Sequence, residues 1–102
     1  MSNNTFNINR GSAFAVTFSL PAEAVGAATL TGFVAEIYDP HPQLAGRITV
    51  AISNAATREI TLAAPWHEDY PDGRVMGFQF ALHPVGGDPI ASNRLFLNIL
   101  AE

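Results

Sequence analysis

The chain has no cysteine. That absence excludes a disulfide framework, a thiolate nucleophile and every zinc site built on Cys ligands. Lysine is missing too, so the five cationic side chains, Arg10, Arg47, Arg58, Arg74 and Arg94, are all arginine and lie scattered along the sequence with no polybasic patch. Nine acidic residues against five basic give a net charge of −4 and a pI near 5.2. This is the wrong sign for a surface that binds phosphates, and nucleic acid is not an expected partner. Asp, Glu, Lys and Arg together make up 14% of the 102 residues, against roughly 25% in soluble domains generally. A surface so poor in charge is expected to be covered in part by another molecule. No apolar run approaches the roughly 18 residues of a membrane span, and Met1-Ser2-Asn3-Asn4-Thr5 lacks the basic start and apolar stretch of a signal peptide. The expectation is a protein synthesised in the cytoplasm, with no membrane partner.

What is present is apolar and patterned. Apolar types account for 48% of residues, and a chain of this length fits one domain, residues 1–102, with a core of its own. Phe14, Val16, Phe18 and Leu20 alternate with Ala13, Ala15, Thr17 and Ser19. A period of two puts the large side chains on one face of a strand. Phe6, Ile8 and Arg10 alternate likewise, and Arg10-Gly11 separates the two runs at a bend. Pro21 closes the second strand because it has no N–H to donate. The alanine-rich residues 22–29 contain Gly26 and read as a connection with at most one helical turn.

Thr31 to Tyr38 reads as a third strand, with Phe33, Ala35 and Ile37 opposite Val34, Glu36 and Tyr38, stopped by Asp39-Pro40-His41-Pro42. Ile48, Val50 and Ile52 alternate through a fourth, and Ile60 and Leu62 mark a short fifth. Between residues 64 and 71 alternation lapses, and Pro65 at a first helical position predicts a short helical crossover ending before Pro71. Pro71-Asp72-Gly73 is a turn signal. A sixth strand runs from Val75 to His83 and the last from about Arg94 to Leu100. That last strand is apolar on both faces, with Leu95, Leu97 and Ile99 on one and Phe96 and Leu100 on the other. Such a strand is covered twice or presents one face to a partner. Seven strands divided by turn signals fit a β-sandwich or a small barrel. The crossover near Trp66 favours the sandwich, because it resembles a connection between sheets.

Several short motifs add to this pattern: Arg10-Gly11 before an alternating strand, Leu30-Thr31-Gly32 opening another, Ile60-Thr61-Leu62, and a Gly73 turn leading into an aromatic-rich strand. Their order resembles the Ig-like modules of tailed-bacteriophage structural proteins, from about Asn7 to Leu100. Those modules often carry acidic residues where this chain has Ser12 and Thr29. The resemblance implies an all-β, seven-stranded Ig-like β-sandwich in a virion structural subunit of the tail, baseplate, neck or capsid surface. It also implies that the partners are other virion proteins.

Chemistry is weakly signalled. His67-Glu68-Asp69 is the one run of three ionisable residues, and His41 or His83 could join it as metal ligands. Neighbouring side chains on an extended chain diverge, however, and a solvated loop explains the run. Ser12, Ser19, Ser53 and Ser92 lack a nucleophile setting, and Glu36, Asp39, Glu59, Asp69 and Asp88 lie in unrelated segments. No catalytic residue, cofactor or metal is expected. Trp66 and Tyr70, four apart, could stack on a sugar as in a carbohydrate-binding module, or plug one end of the sandwich. Phe6, Ile8, Phe96 and Leu100 are the expected oligomer interface. The reasoning is that an edge strand without lysine is unguarded against a neighbour, and symmetric association would bury on the order of 800 Å² per subunit.

Overall fold

A computed structural model describes residues 4–71 and 73–100. Eight strands and one helical turn make up the regular structure among them: β1 (Thr5–Asn9), β2 (Phe14–Ser19), α1 (Ala22–Val25), β3 (Val34–Tyr38), β4 (Thr49–Asn54), β5 (Glu59–Ala64), β6 (Val75–His83), β7 (Ile90–Ala91) and β8 (Leu95–Leu100). The strands form two sheets. The larger has the order β1-β8-β6-β3, with β7 paired to β6 as well, and the smaller has the order β2-β5-β4. In an Ig-type sandwich strands B, E and D share one sheet and C, F and G the other. Here β2, β5 and β4 take the first three places and β3, β6 and β8 the second. The all-β sandwich inferred from alternation is the observed fold, with β1 placed beside the last strand and parallel to it.

Alternation accounts for the layers. The burial of β5 is strictly alternating, with Ile60, Leu62 and Ala64 buried. Met76, Phe78, Phe80 and Leu82 of β6 oppose them from the other sheet, joined by Leu97 and Ile99 of β8. Leu30, Leu44 and Ile48, from the connections before β3 and β4, are also buried in the core. No polar or charged residue is buried among the described residues. The interior is therefore held by apolar contact alone, at roughly 25 cal/mol for each Å² removed from water.

Three expectations are corrected. The strand count is eight, because the chain pairs twice with β6 on the same edge. Ile90 and Ala91 pair with Leu82 and Ala81, and Leu95 to Asn98 pair with Phe78 to Val75. Two residues between Pro89 and Ser92 are too few to show a period. At the break between β7 and β8, Ser92 keeps the ladder satisfied: the N–H of Phe80 donates to Ser92 Oγ at 3.0 Å, and the N–H of Ser92 donates to the carbonyl of Phe80 at 2.8 Å.

The helical crossover exists in a different connection. It is α1, between β2 of the small sheet and β3 of the large one. Gly26 ends it in the left-handed conformation at φ 68, its N–H bonded to the carbonyl of Ala22, as a helix C-terminus favours. Residues 65–71 also pass from one sheet to the other, but as an irregular turn in which the N–H of Tyr70 donates to the carbonyl of His67 at 3.2 Å. Finally, the strand expected to open at Thr31 begins at Val34. Gly32, at φ 84, places Thr31-Gly32 in a turn.

The Arg10-Gly11 bend is observed as read. Gly11 takes φ 90, and the N–H of Ser12 bonds to the carbonyl of Asn9 at 3.0 Å, which carries the chain from the large sheet to the small one.

Candidate interaction surfaces

Trp66 and Tyr70 come together, yet they build no flat platform. Their ring centroids are 5.5 Å apart and the planes meet at 86°. Tyr70 is 2% exposed, and its hydroxyl donates to the carbonyl of Pro65 at 2.8 Å. A tyrosine in this connection, bonded back to the chain just upstream, matches the tyrosine corner of Ig-type sandwiches. Burial pushes the Tyr70 hydroxyl pKa up, and the Arg47 guanidinium near the ring offsets part of that rise. Arg10 lies over the Trp66 ring, its guanidinium carbon 5.3 Å from the ring centre. Tyr70 therefore offers no face to a sugar, and Trp66 has a cation over its own.

The ionisable residues do not converge. His67 Nε2 lies 2.9 Å from an Arg47 nitrogen, while Glu68 and Asp69 are exposed beside it. His83 Nε2 stands 2.6 Å from Glu36 Oε1 on the far sheet, and the Nδ1 of His41 accepts from the N–H of Gln43. Among the described residues no three His, Asp or Glu side chains are grouped as cation ligands. Each serine with a resolved hydroxyl bond uses it on its own backbone surroundings, Ser19 to the carbonyl of Thr57 and Ser92 to that of Asn93.

The four residues expected at an oligomer interface divide by face. β1 pairs with its own β8 along its whole length, Thr5 opposite Phe96 through Asn9 opposite Leu100. Phe6 and Ile8 consequently turn inward and pack against the core, with Phe6 meeting Phe14 at 5.4 Å between ring centres. Neither is free to anchor a neighbour. Phe96 and Leu100 turn outward, half-buried and exposed respectively.

The outer face that carries them is the exceptional surface of the molecule. Among the described residues, five large hydrophobic residues are exposed: Val34, Tyr38, Val75, Val85 and Leu100. All but Val85 lie on the outward positions of β3, β6 and β8, which also carry Glu36, Gln79, His83 and Asn98, with the Arg94 guanidinium over Gly77. The outer face of the small sheet, by contrast, presents Ala15, Thr17 and Ser19, then Thr61 and Ala63, then Thr49, Ala51 and Ser53. It carries no large apolar side chain. Sequence reasoning named only Phe96 and Leu100 because it could not bring the outward residues of β3 and β6 beside them.

A cleft of about 650 Å³ opens on the side of the sandwich, lined by Phe18 and Leu20 of the β2 segment, Ala24 and Val25 of α1, and Phe80, Leu82, Ile90 and Leu95 of the large sheet. It arises where the two sheets meet, so no local pattern of residues marks it.

No family model matches the chain, and no curated protein matches its sequence. The surfaces themselves carry the functional argument. No helix among the described residues is long and apolar enough to cross a membrane.

Proposed function

We propose that this protein is a non-enzymatic structural subunit of a bacteriophage virion, a β-sandwich assembly module that associates with its own copies and with other virion proteins. The observation that carries the assembly role is the segregation of exposed apolar side chains. Val34, Tyr38, Val75 and Leu100 share one sheet face while the opposite face has none. A random scatter of exposed hydrophobics needs no explanation, but here they are confined to one of the two sheet faces, with Val75 and Leu100 at one end and Tyr38 and Val34 beyond the Arg94–Asp39 bond. The low charged fraction, 14%, points the same way. The virion setting rests on the motif order described above, together with a sandwich whose strand order matches that of Ig-like modules.

Sedimentation of the purified protein at micromolar concentration tests the assembly role, and proteomics of purified phage particles tests the setting. A species larger than the 10.9 kDa chain, and the chain's presence in stoichiometric amount in particles, are the expected results. A monomer that also fails to join virion proteins overturns the reading.

A further inference from the structure

The side cleft has a defined cause. Along one seam between the sheets, β1 lies over the gap and closes it, its Phe6 ring packed at a tilt against Phe14 of β2. β1 covers only β8, from Phe96 to Leu100. Beyond it, at the other half of the seam, among the described residues β7 pairs with β6 alone and β2 pairs with β5 alone. The cleft lies between these two unpaired edges. Asn4, next to the first residue of β1, stands at its rim, and the Phe18–Phe80 pair, 6.1 Å between ring centres, forms part of its wall.

We propose that this cleft receives an extended segment of a partner protein, which continues the line of β1 past β7 and inserts alternate apolar side chains between the sheets. Two features choose a strand over other occupants. Strand edges present a row of N–H and C=O groups that an extended backbone matches and a lipid tail does not. The chain already shows the pairing that such a strand would extend, since β1 runs parallel to β8 at the same edge. The lining contains no charged residue; its polar members are Asn4, Ser19, Ser92 and Asn93. The inserted positions are therefore uncharged. Ile90 and Leu95 pair with Leu82 and Phe78, four residues apart on β6 and so roughly 13 Å, and about four residues of the partner complete the seam, two of them facing inward. The volume lies within the usual range for a binding cavity. The proposal stands on a different surface from the outer sheet face and does not depend on it.

The test uses the full chain and a soluble probe: an amidated ten-residue peptide with valine alternating with threonine over six positions, flanked by pairs of lysines. Titration followed by NMR is expected to move the resonances of Phe18, Leu20, Ile90 and Leu95. New amide protection is expected on the outer edge of β2 or β7. Ala24→Arg places a charge at the exposed mouth of the cleft and should weaken binding at least tenfold, while Ala51→Glu, at an exposed position of β4 away from the cleft, should leave it unchanged. Three results overturn the proposal: no shifts at millimolar peptide, equal binding by a peptide with proline in place of each valine, or saturation by decanoate with none by the peptide. The last would make the cleft a site for aliphatic ligands.

Discussion

The guanidinium of Arg94 occupies the space that a Cβ on Gly77 would need, 2.7 Å from both Nε and one terminal nitrogen. Arg94 thereby crosses β6 on the outer face. It donates to the Asp39 carbonyl at 2.8 Å and to Asp39 Oδ2 at 2.9 Å, just past the end of β3. Asp39 sits at φ 50, a conformation that costs an L-residue roughly 1 kcal/mol. The bond from Arg94 holds it there. The glycine that weakens a strand elsewhere is, in β6, the passage for another side chain.

Gly77→Ala should accordingly change sign with its background. Alanine in a strand interior is worth roughly 0.5–1 kcal/mol over glycine, but in the native protein its methyl displaces Arg94 and breaks both bonds to Asp39. A net loss of up to about 1 kcal/mol is expected from urea unfolding. In the Arg94→Ala background the same substitution should be neutral or stabilising. Equal effects in the two backgrounds would show that the two residues are not coupled.

Arg58 performs a comparable task at the β4–β5 hairpin. It takes φ 59, and its side chain donates from Nε to the carbonyl of Leu20 at 2.8 Å and from Nη1 to that of Ala28 at 2.5 Å. Both ends of the α1 connection are thus tied to the hairpin. Arg58→Ala loses these bonds and keeps the strained backbone, a loss of about 2 kcal/mol. Arg58→Gly loses the same bonds but relieves the strain, so it should be about 1 kcal/mol more stable than the alanine variant. Thermal unfolding of the pair checks the order.

Tyr70 makes stability sensitive to alkali. Its folded pKa is raised, chiefly by burial, so the unfolded chain ionises first as pH rises. The stabilisation is complete below the unfolded value of about 10. It is lost as pH climbs from there through the folded pKa, because the native state then holds a proton that the unfolded state has released. Tyr70→Phe removes the hydroxyl bond to Pro65, costing about 1 kcal/mol near neutral pH, and should flatten the alkaline decline. An unchanged slope in denaturant titrations above pH 10 would assign the decline to another group.

Periodicity is a local signal, and the fold was legible to the extent that it is local. Phe14 to Leu20 and Ile48 to Ile52 declared their strands because every second side chain faces the core. Residues 65–71 misled because Pro65 and Pro71 bracket a stretch as well suited to a buried tyrosine turn as to a helix. β7 went unseen because Ile90-Ala91 is a single period long and shows no alternation. The outer patch was half legible: Phe96 and Leu100 belong to a doubly apolar strand, whereas Val34 and Val75 join them only through sheet order. Phe6 and Ile8 carried no mark to distinguish pairing with β8 from pairing with a neighbour.

Those same residues separate two ways in which the domain could associate. Edge-to-edge pairing through β1 would leave Val75 in solvent, whereas face-to-face packing buries it with Val34, Tyr38 and Leu100. Val75 is 50% exposed at an outward position opposite Asn98, so Val75→Glu removes an apolar contact and introduces a charge without touching the core. In a symmetric contact each change counts twice, because the same patch serves both copies. A charge buried without a partner in an interface costs several kcal/mol. The expected outcome is therefore at least a hundredfold weaker self-association by sedimentation, with unfolding unchanged within about 0.5 kcal/mol. Thr17→Glu on the small sheet is the control, and it should associate as the native chain does. If Thr17→Glu dissociates the protein and Val75→Glu does not, the apolar face is not the contact, and the edge or the small sheet takes its place.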